Sequence, residues 1–190
     1  MNTTTVDINF HELCGKLRSM KLSSMADTLE KQLANPNSGL QSFDERISEI
    51  ICSEWDTRYN KKFNRFLKKA TLKYPAADID ESIYDADRFL DTTTIERLAA
   101  CNWIDEGKNL LITGSTGSGK TYISNALCIS ALRLFHTVRY VKASTLIYEL
   151  EQAQVTGEYL NYTKKLAALD LLVIDDFGLM ELDIDKCRNL

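Results

Sequence analysis

The chain has 190 residues, of which 44% are hydrophobic, and its 23 basic and 27 acidic side chains give a formal net charge of −4. This length and composition fit a folded protein with one domain and a smaller second one, and they exclude disorder throughout. The acidic balance argues against a protein that coats nucleic acid along its whole surface.

The cysteines and the first residues indicate a cytoplasmic protein. Five cysteines form no CxxC pair, and an odd number suits neither a disulfide framework nor a zinc site. The start, MNTTTVDINF, lacks the basic and apolar regions of a secretory signal, and the sequence has no run of about 18 apolar residues. We therefore expect reduced thiols and no membrane partner.

Residues 1–74 are predicted to form an all-helical N-terminal domain. Apolar residues recur at helical spacing from Leu13 to Leu33, and NPNSG then supplies a stop and a turn. Ser42 and Glu45 form a capping-box pattern that opens a second helix. Residues 75–92 carry six acidic side chains and one arginine, which predicts a solvated acidic linker.

The end of the second predicted helix is strongly basic. Several lysines and arginines lie between Asp56 and Asp78, and no acidic residue lies among them. At about 100° per residue, its basic side chains share one face and its apolar ones the other. Such a face can follow the phosphate backbone of DNA, although a merely solvated face is the alternative. The candidate DNA-binding residues are Arg58, Lys61, Lys62, Arg65, Lys68 and Lys69.

Residues 93–190 are predicted to form an α/β domain with a parallel sheet. Thr93 and Glu96 offer a further capping box. The segments NLLIT, TVRYV and LLVID are typical of strands, and helical stretches separate them.

The segment GSTGSGKT matches the Walker A pattern G-x-x-x-x-G-K-[ST]. Glycines let the backbone amides curl around phosphate oxygens, and the helix that follows adds a favourable dipole. Lys120 is expected to neutralise the β- and γ-phosphates, and the Thr121 hydroxyl to bind Mg²⁺. The candidate ATP-binding residues are Gly114, Ser115, Thr116, Gly117, Ser118, Gly119, Lys120 and Thr121.

Two carboxylates follow the apolar LLVI run. Asp175 is expected to hold Mg²⁺, and Asp176 to orient or deprotonate the attacking water. The alternative is a buried strand that simply ends in polar residues. Many ATPases with a Walker A segment have glutamate at the second of these positions. Aspartate is one methylene shorter, so the role of Asp175 is better supported than that of Asp176.

These segments together resemble the IstB-type ATP-binding helpers of insertion-sequence transposition. The resemblance is carried by LRSMKLSSMADTLEKQL, by SFDERISEII with a tryptophan after three further residues, by CNWI before the Walker A segment, and by LLVIDDFG. It implies a P-loop ATPase of the AAA+ (ASCE) class that uses ATP and Mg²⁺. It also implies a homo-oligomer that assembles on double-stranded DNA through its helical domain and regulates a transposase.

By position, the resemblance implies phosphate and Mg²⁺ roles for Lys120 and Thr121, a Mg²⁺ role for Asp175, and water activation by Asp176. Lys120 and Asp176 are then the expected catalytic residues. In this family a further strand and an arginine finger follow the second acidic motif. We therefore expect a sheet that is incomplete at the C-terminus and a chain that binds ATP but hydrolyses it poorly.

Two alternatives stay open. A helicase loader of the DnaC kind would share the ATPase core and use its N-terminal region to hold a helicase. A non-catalytic, shortened subunit would join full-length relatives instead.

Overall fold

The computed structural model describes residues 9–79 and 91–178. The chain divides into two units, Met1–Lys62 and Phe63–Leu190, each with its own apolar core. Most of the predicted acidic linker lies outside the described residues. Within the described parts, every helix is too short or too polar to cross a membrane.

Helices make up the described part of the first unit. They are α1 (Phe10–Ser19), α2 (Ser23–Ala34), a short 3₁₀ helix (Pro36–Leu40) and α3 (Phe43–Ala70), whose last turns belong to the second unit. The predicted capping box is confirmed, because the Glu45 carboxylate accepts from the Ser42 amide at 2.8 Å and the Glu45 amide donates to the Ser42 hydroxyl at 3.3 Å. These two bonds fix the start of α3.

A turn at Lys21 separates α1 from α2, where the apolar spacing predicted one helical stretch. Lys21 has a φ of 61°, its amide donates to the Arg18 carbonyl, and the Leu22 amide donates to the Leu17 carbonyl. These are the two bonds of a Schellman C-cap. The reversal lets α1 and α2 pack through a core made of Cys14, Ala26, Leu29 and Ile50.

The second unit continues with α4 (Thr92–Ala99), α5 (Asn102–Asp105), α6 (Lys120–Arg133), β1 (Val138–Lys142), α7 (Ala143–Val155), α8 (Tyr159–Ala167) and β2 (Leu171–Asp175). The capping box predicted at Thr93 and Glu96 is wrong. Asp91 caps α4 instead, because its carboxylate accepts from the amides of Thr93 and Thr94 at 3.2 and 3.1 Å. An aspartate one residue before the helix supplies two acceptor oxygens at once.

Strands β1 and β2 pair in parallel, with Val138 opposite Leu171 and Lys142 opposite Asp175. Side chains alternate across a strand, so the sheet has two apolar faces. One face, which includes Val138 and Val173, packs against the buried side of α6 at Leu132. The other face packs against α7 and α8. Helices on both faces of a parallel sheet define α/β layering.

The strand predicted over NLLIT is wrong for this structure. Residues 109–113 have no regular secondary structure, and Leu111 is 80% exposed. Over the described residues, the sheet contains only β1 and β2, so nothing pairs with this segment. A strand needs a neighbour for its backbone amides and carbonyls, and an apolar run without one gains no ladder of hydrogen bonds.

Candidate nucleotide-binding site

The glycine-rich segment forms an irregular loop that leads directly into α6. Gly119 precedes the first helical residue and has a φ of 88°, a conformation that side chains disfavour. At Gly114, a Cβ would lie 3.0 Å from the Ser118 hydroxyl oxygen. The loop is therefore closely folded, and it brings exposed backbone to the N-terminus of a 14-residue helix.

Lys120 folds back over this loop. Its ammonium donates to the carbonyl oxygens of Gly114 at 2.9 Å and Ser115 at 2.7 Å. A positive charge thus lies inside the curl of the loop, next to the helix N-terminus. Both features attract a phosphate group.

Thr121 and Asp175, 54 positions apart in sequence, meet where β2 ends beside α6. The Thr121 hydroxyl lies 3.1 Å from Asp175 Oδ2 and 3.4 Å from Oδ1. The structure therefore brings together the two residues that the sequence predicted as Mg²⁺ ligands. Parallel strands deliver side chains to the carboxyl edge of the sheet, which explains the meeting.

A second hydroxyl contacts the same carboxylate. Tyr140, on β1, donates a hydrogen bond to Asp175 Oδ2. Burial alone would raise the pKa of Asp175, but hydrogen bonds from Tyr140, from the Asp176 amide and from Thr121 outweigh burial and lower that pKa. The carboxylate is therefore ionised, as a metal ligand must be.

The neighbouring carboxylate has a different partner. Asp176 has a φ of 55°, and its Oδ2 lies 2.9 Å from the ammonium of Lys142 at the end of β1. This pairing raises the pKa of Lys142, so the lysine is charged. The two adjacent carboxylates are thus held separately, Asp175 by hydroxyls and Asp176 by an ammonium.

Asn125 fixes the first turn of α6. Its side chain is fully buried, its amide donates to the Thr121 carbonyl at 2.7 Å, and its oxygen accepts from the Tyr74 amide at 3.1 Å. These two hydrogen bonds hold the Asn125 side chain in one position, because a buried amide without partners costs about 1–3 kcal/mol.

Sequence reasoning missed Tyr140, Lys142 and Asn125. The only signal for the first two is their spacing, which places both on the sheet face that also carries Asp175. For Asn125, the signal is an amide between the apolar residues of ISNALCI.

The oxygen set fits Mg²⁺. This ion binds through one or two carboxylates together with substrate phosphates, and it does not require an all-protein cage. Asp175 supplies the carboxylate, Thr121 adds a hydroxyl oxygen, and the loop before α6 lies where phosphates would sit. Within the described ranges, no group of three or more His, Cys, Asp or Glu converges as a metal cage.

The candidate DNA-binding residues differ in their surroundings. The Arg58 guanidinium is engaged by Glu54 at 2.8 Å and by the Lys21 carbonyl at 3.0 Å. Arg65 lies over the Phe66 ring at 5.7 Å from its centre. The other four candidates, which are exposed, are Lys61, Lys62, Lys68 and Lys69.

Comparisons with known proteins give this geometry a class. The sequence matches the family described as IstB-like ATP binding protein over residues 15–190. The glycine-rich loop and the Thr121–Asp175 contact thus lie in an ATP-binding protein.

The relatives come from insertion sequences. A protein named for ATP binding in insertion sequence IS1162 of Pseudomonas fluorescens is 36% identical over 92% of this chain and 76% of its own length. The similarly named y4uH of Sinorhizobium fredii is 34% identical over 91% of this chain and 69% of its own length. The ATP-binding protein Rv3427c of Mycobacterium tuberculosis, also named for an insertion sequence, is 29% identical over 87% of this chain and 65% of its own length. The chain belongs to the IstB-like ATP-binding protein family.

Proposed function

We propose that this protein is a P-loop ATPase of the AAA+ type that uses ATP and Mg²⁺ to assist DNA transposition in the cytoplasm. The observation that carries the proposal is the contact between Thr121 and Asp175 beside the glycine-rich loop. Phosphate-binding amides, a cationic side chain, a hydroxyl and a carboxylate then converge at one helix N-terminus. The insertion-sequence origin of the relatives supports the transposition context over a helicase loader.

In this proposal, each residue has one task. The loop amides and Lys120 bind the β- and γ-phosphates, and Lys120 exchanges its carbonyl contacts for phosphate oxygens. Thr121 and Asp175 would hold Mg²⁺, and the ion would supply positive charge to the phosphates. Asp176 orients the attacking water and accepts its proton, while Lys142 keeps this carboxylate in place.

The Mg²⁺ role of Asp175 predicts a specific defect in Asp175→Asn. Asparagine keeps the size of the side chain but loses the charge, so the variant should bind ATP in excess EDTA at least as well as the wild type does. The affinity gained on adding Mg²⁺ should fall by about 10- to 100-fold, as for loss of a group that supports a bound metal. Calorimetric titration of ATP in both conditions measures this gain.

A matched control is Asp170→Asn, because Asp170 is an exposed aspartate that precedes the same strand and contacts Thr137. We expect this variant to keep the full Mg²⁺ effect. If ATP binds wild-type protein equally well with and without Mg²⁺, the proposed metal role of the site is wrong.

We further propose that the basic face of α3 binds double-stranded DNA. In this proposal, α3 belongs to a helical N-terminal domain (residues 1–74) that also mediates homo-oligomer formation and acts with a transposase. Support comes from the exposed side chains of Lys61, Lys62, Lys68 and Lys69 on α3. Each neutralised phosphate releases counterions, so affinity for DNA should fall steeply with salt.

The double variant Lys68→Gln/Lys69→Gln tests this interface with two lysines that both lie in the second unit. It should weaken binding to duplexes of any sequence and reduce the slope of log affinity against log salt by about two. The control is Lys164→Gln/Lys165→Gln, which changes another exposed lysine pair, on α8. Wild-type slopes for both double variants, measured by fluorescence anisotropy, would show that Lys68 and Lys69 do not contact DNA and would overturn the interface proposed for this end of α3.

A further inference from the structure

Strand β1 presses one aromatic side chain against the carboxylate that ends β2. Tyr140 is 6% exposed, and its hydroxyl donates to Asp175 Oδ2. Its backbone is fixed twice, by the register opposite Val173 and by the Thr71 hydroxyl, which lies 2.8 Å from the Tyr140 carbonyl oxygen. The phenol therefore approaches Asp175 from a rigid strand and a packed ring.

The two hydroxyls that contact Asp175 come from different elements. Thr121 belongs to the first turn of α6, next to the loop, whereas Tyr140 belongs to the sheet. The shorter Thr121 contact and the Tyr140 bond both fall on Oδ2, which leaves Oδ1 with capacity for a metal or a metal-bound water. Tyr140 thus holds one of the two Asp175 oxygens and restricts the rotation of the carboxylate.

Building on the proposed function, we propose that Tyr140 is a positioning residue for Mg²⁺-dependent ATP binding. Its hydroxyl holds Asp175 in the rotamer that serves the metal, so the metal does not have to order that side chain when it binds. Partners that orient metal ligands in this way affect metal affinity by about 10- to 100-fold. Tyr140 itself touches neither nucleotide nor metal.

A purely structural role for the hydroxyl makes a different prediction. Buried tyrosine hydroxyls commonly bond to some acceptor, and losing such a bond lowers stability by about 0.5–1.5 kcal/mol. That loss would leave the ATP site unchanged once the protein is folded. The readout that separates the two roles is therefore the ratio of ATP dissociation constants in excess EDTA and in excess Mg²⁺.

The variant Tyr140→Phe removes the hydroxyl and keeps the ring in the core. We expect its ATP affinity in EDTA to equal that of the wild type and the EDTA-to-Mg²⁺ ratio to fall about tenfold. In an Asp175→Asn background, Tyr140→Phe should change the ratio no further, because the group it positions has lost its charge. Thermal unfolding of each variant establishes that the compared proteins are folded.

Tyr162→Phe is the matched control. The Tyr162 hydroxyl bonds to Arg139 and Glu149, and Arg139 lies on the opposite sheet face from Tyr140. This variant should keep the wild-type ratio. If the ratio for the wild type is well above 1 and Tyr140→Phe leaves it unchanged, only the role of Tyr140 is overturned. If the ratio for the wild type is itself near 1, the proposed metal site is overturned as well.

Discussion

Lys120→Ala should weaken ATP binding by about 100-fold in excess Mg²⁺. A hydrogen bond between charged groups contributes about 1.5–3 kcal/mol, and every 1.4 kcal/mol is a factor of ten. The Lys120 ammonium lies within the loop, where the Gly114 and Ser115 carbonyls accept its hydrogen bonds, and this position suits the phosphate-binding role proposed for it. Calorimetric titration with ATP measures the loss directly.

Lys108 offers the comparison for this experiment. It is an exposed lysine that pairs with Glu106 before the glycine-rich loop begins, so Lys108→Ala removes the same charge outside the site. We expect ATP affinity within about twofold of the wild type for that variant, since exposed charges are well screened. Comparable losses in both variants would mean that Lys120 acts only through net charge.

Leu132→Ala should lower the free energy of unfolding by about 3–5 kcal/mol. Leu132 is 0% exposed and packs with Cys128, Ala131 and Val138 where α6 meets the sheet. Truncation at a site this enclosed loses the transfer free energy of the side chain and leaves a cavity. Urea denaturation followed by circular dichroism gives the change in stability.

Leu134→Ala is the control, because Leu134 is two residues further along and 55% exposed. We expect a cost below about 1 kcal/mol there, in line with substitutions away from a core. If both leucine variants unfold at the same urea concentration, α6 does not bury the face described above. Because Thr121 and Asn125 lie on α6, that result would also weaken the account of the site.

Local signals in the sequence predicted the ends of some elements and failed at others. The capping box at Ser42 was predicted correctly, because both of its hydrogen bonds are short-range and depend on only two residue types. The turn at Lys21 has no such signal, since lysine forms helices readily and reaches a positive φ here because α1 and α2 pack together. Residues 109–113 show the opposite case, a strand-like pattern that lacks a neighbouring strand.

The contact between Thr121 and Asp175 was predictable to the extent that it depends on one motif and one strand end. The glycine-rich segment indicated Lys120 and Thr121, and the apolar run indicated Asp175, because the chemistry requires those residue types. The side chains that hold these groups could not be found in this way. Tyr140 and Asn125 act through contacts between distant segments, and many other residue types occupy such positions in parallel sheets and buried helices.

The separate partners of the two adjacent aspartates give them different sensitivities to ionic strength. Lys142 and Asp176 form an ion pair whose side chains are 50% and 44% exposed, so dissolved salt screens their attraction. Tyr140 is buried and donates a hydrogen bond to Asp175 at close range, which salt screens much less. With the roles proposed for Asp176 and Asp175, raising salt loosens the carboxylate that orients water before the one that binds Mg²⁺. The slow ATP hydrolysis expected of this chain should then be lost at salt concentrations where Mg²⁺ and ATP still bind.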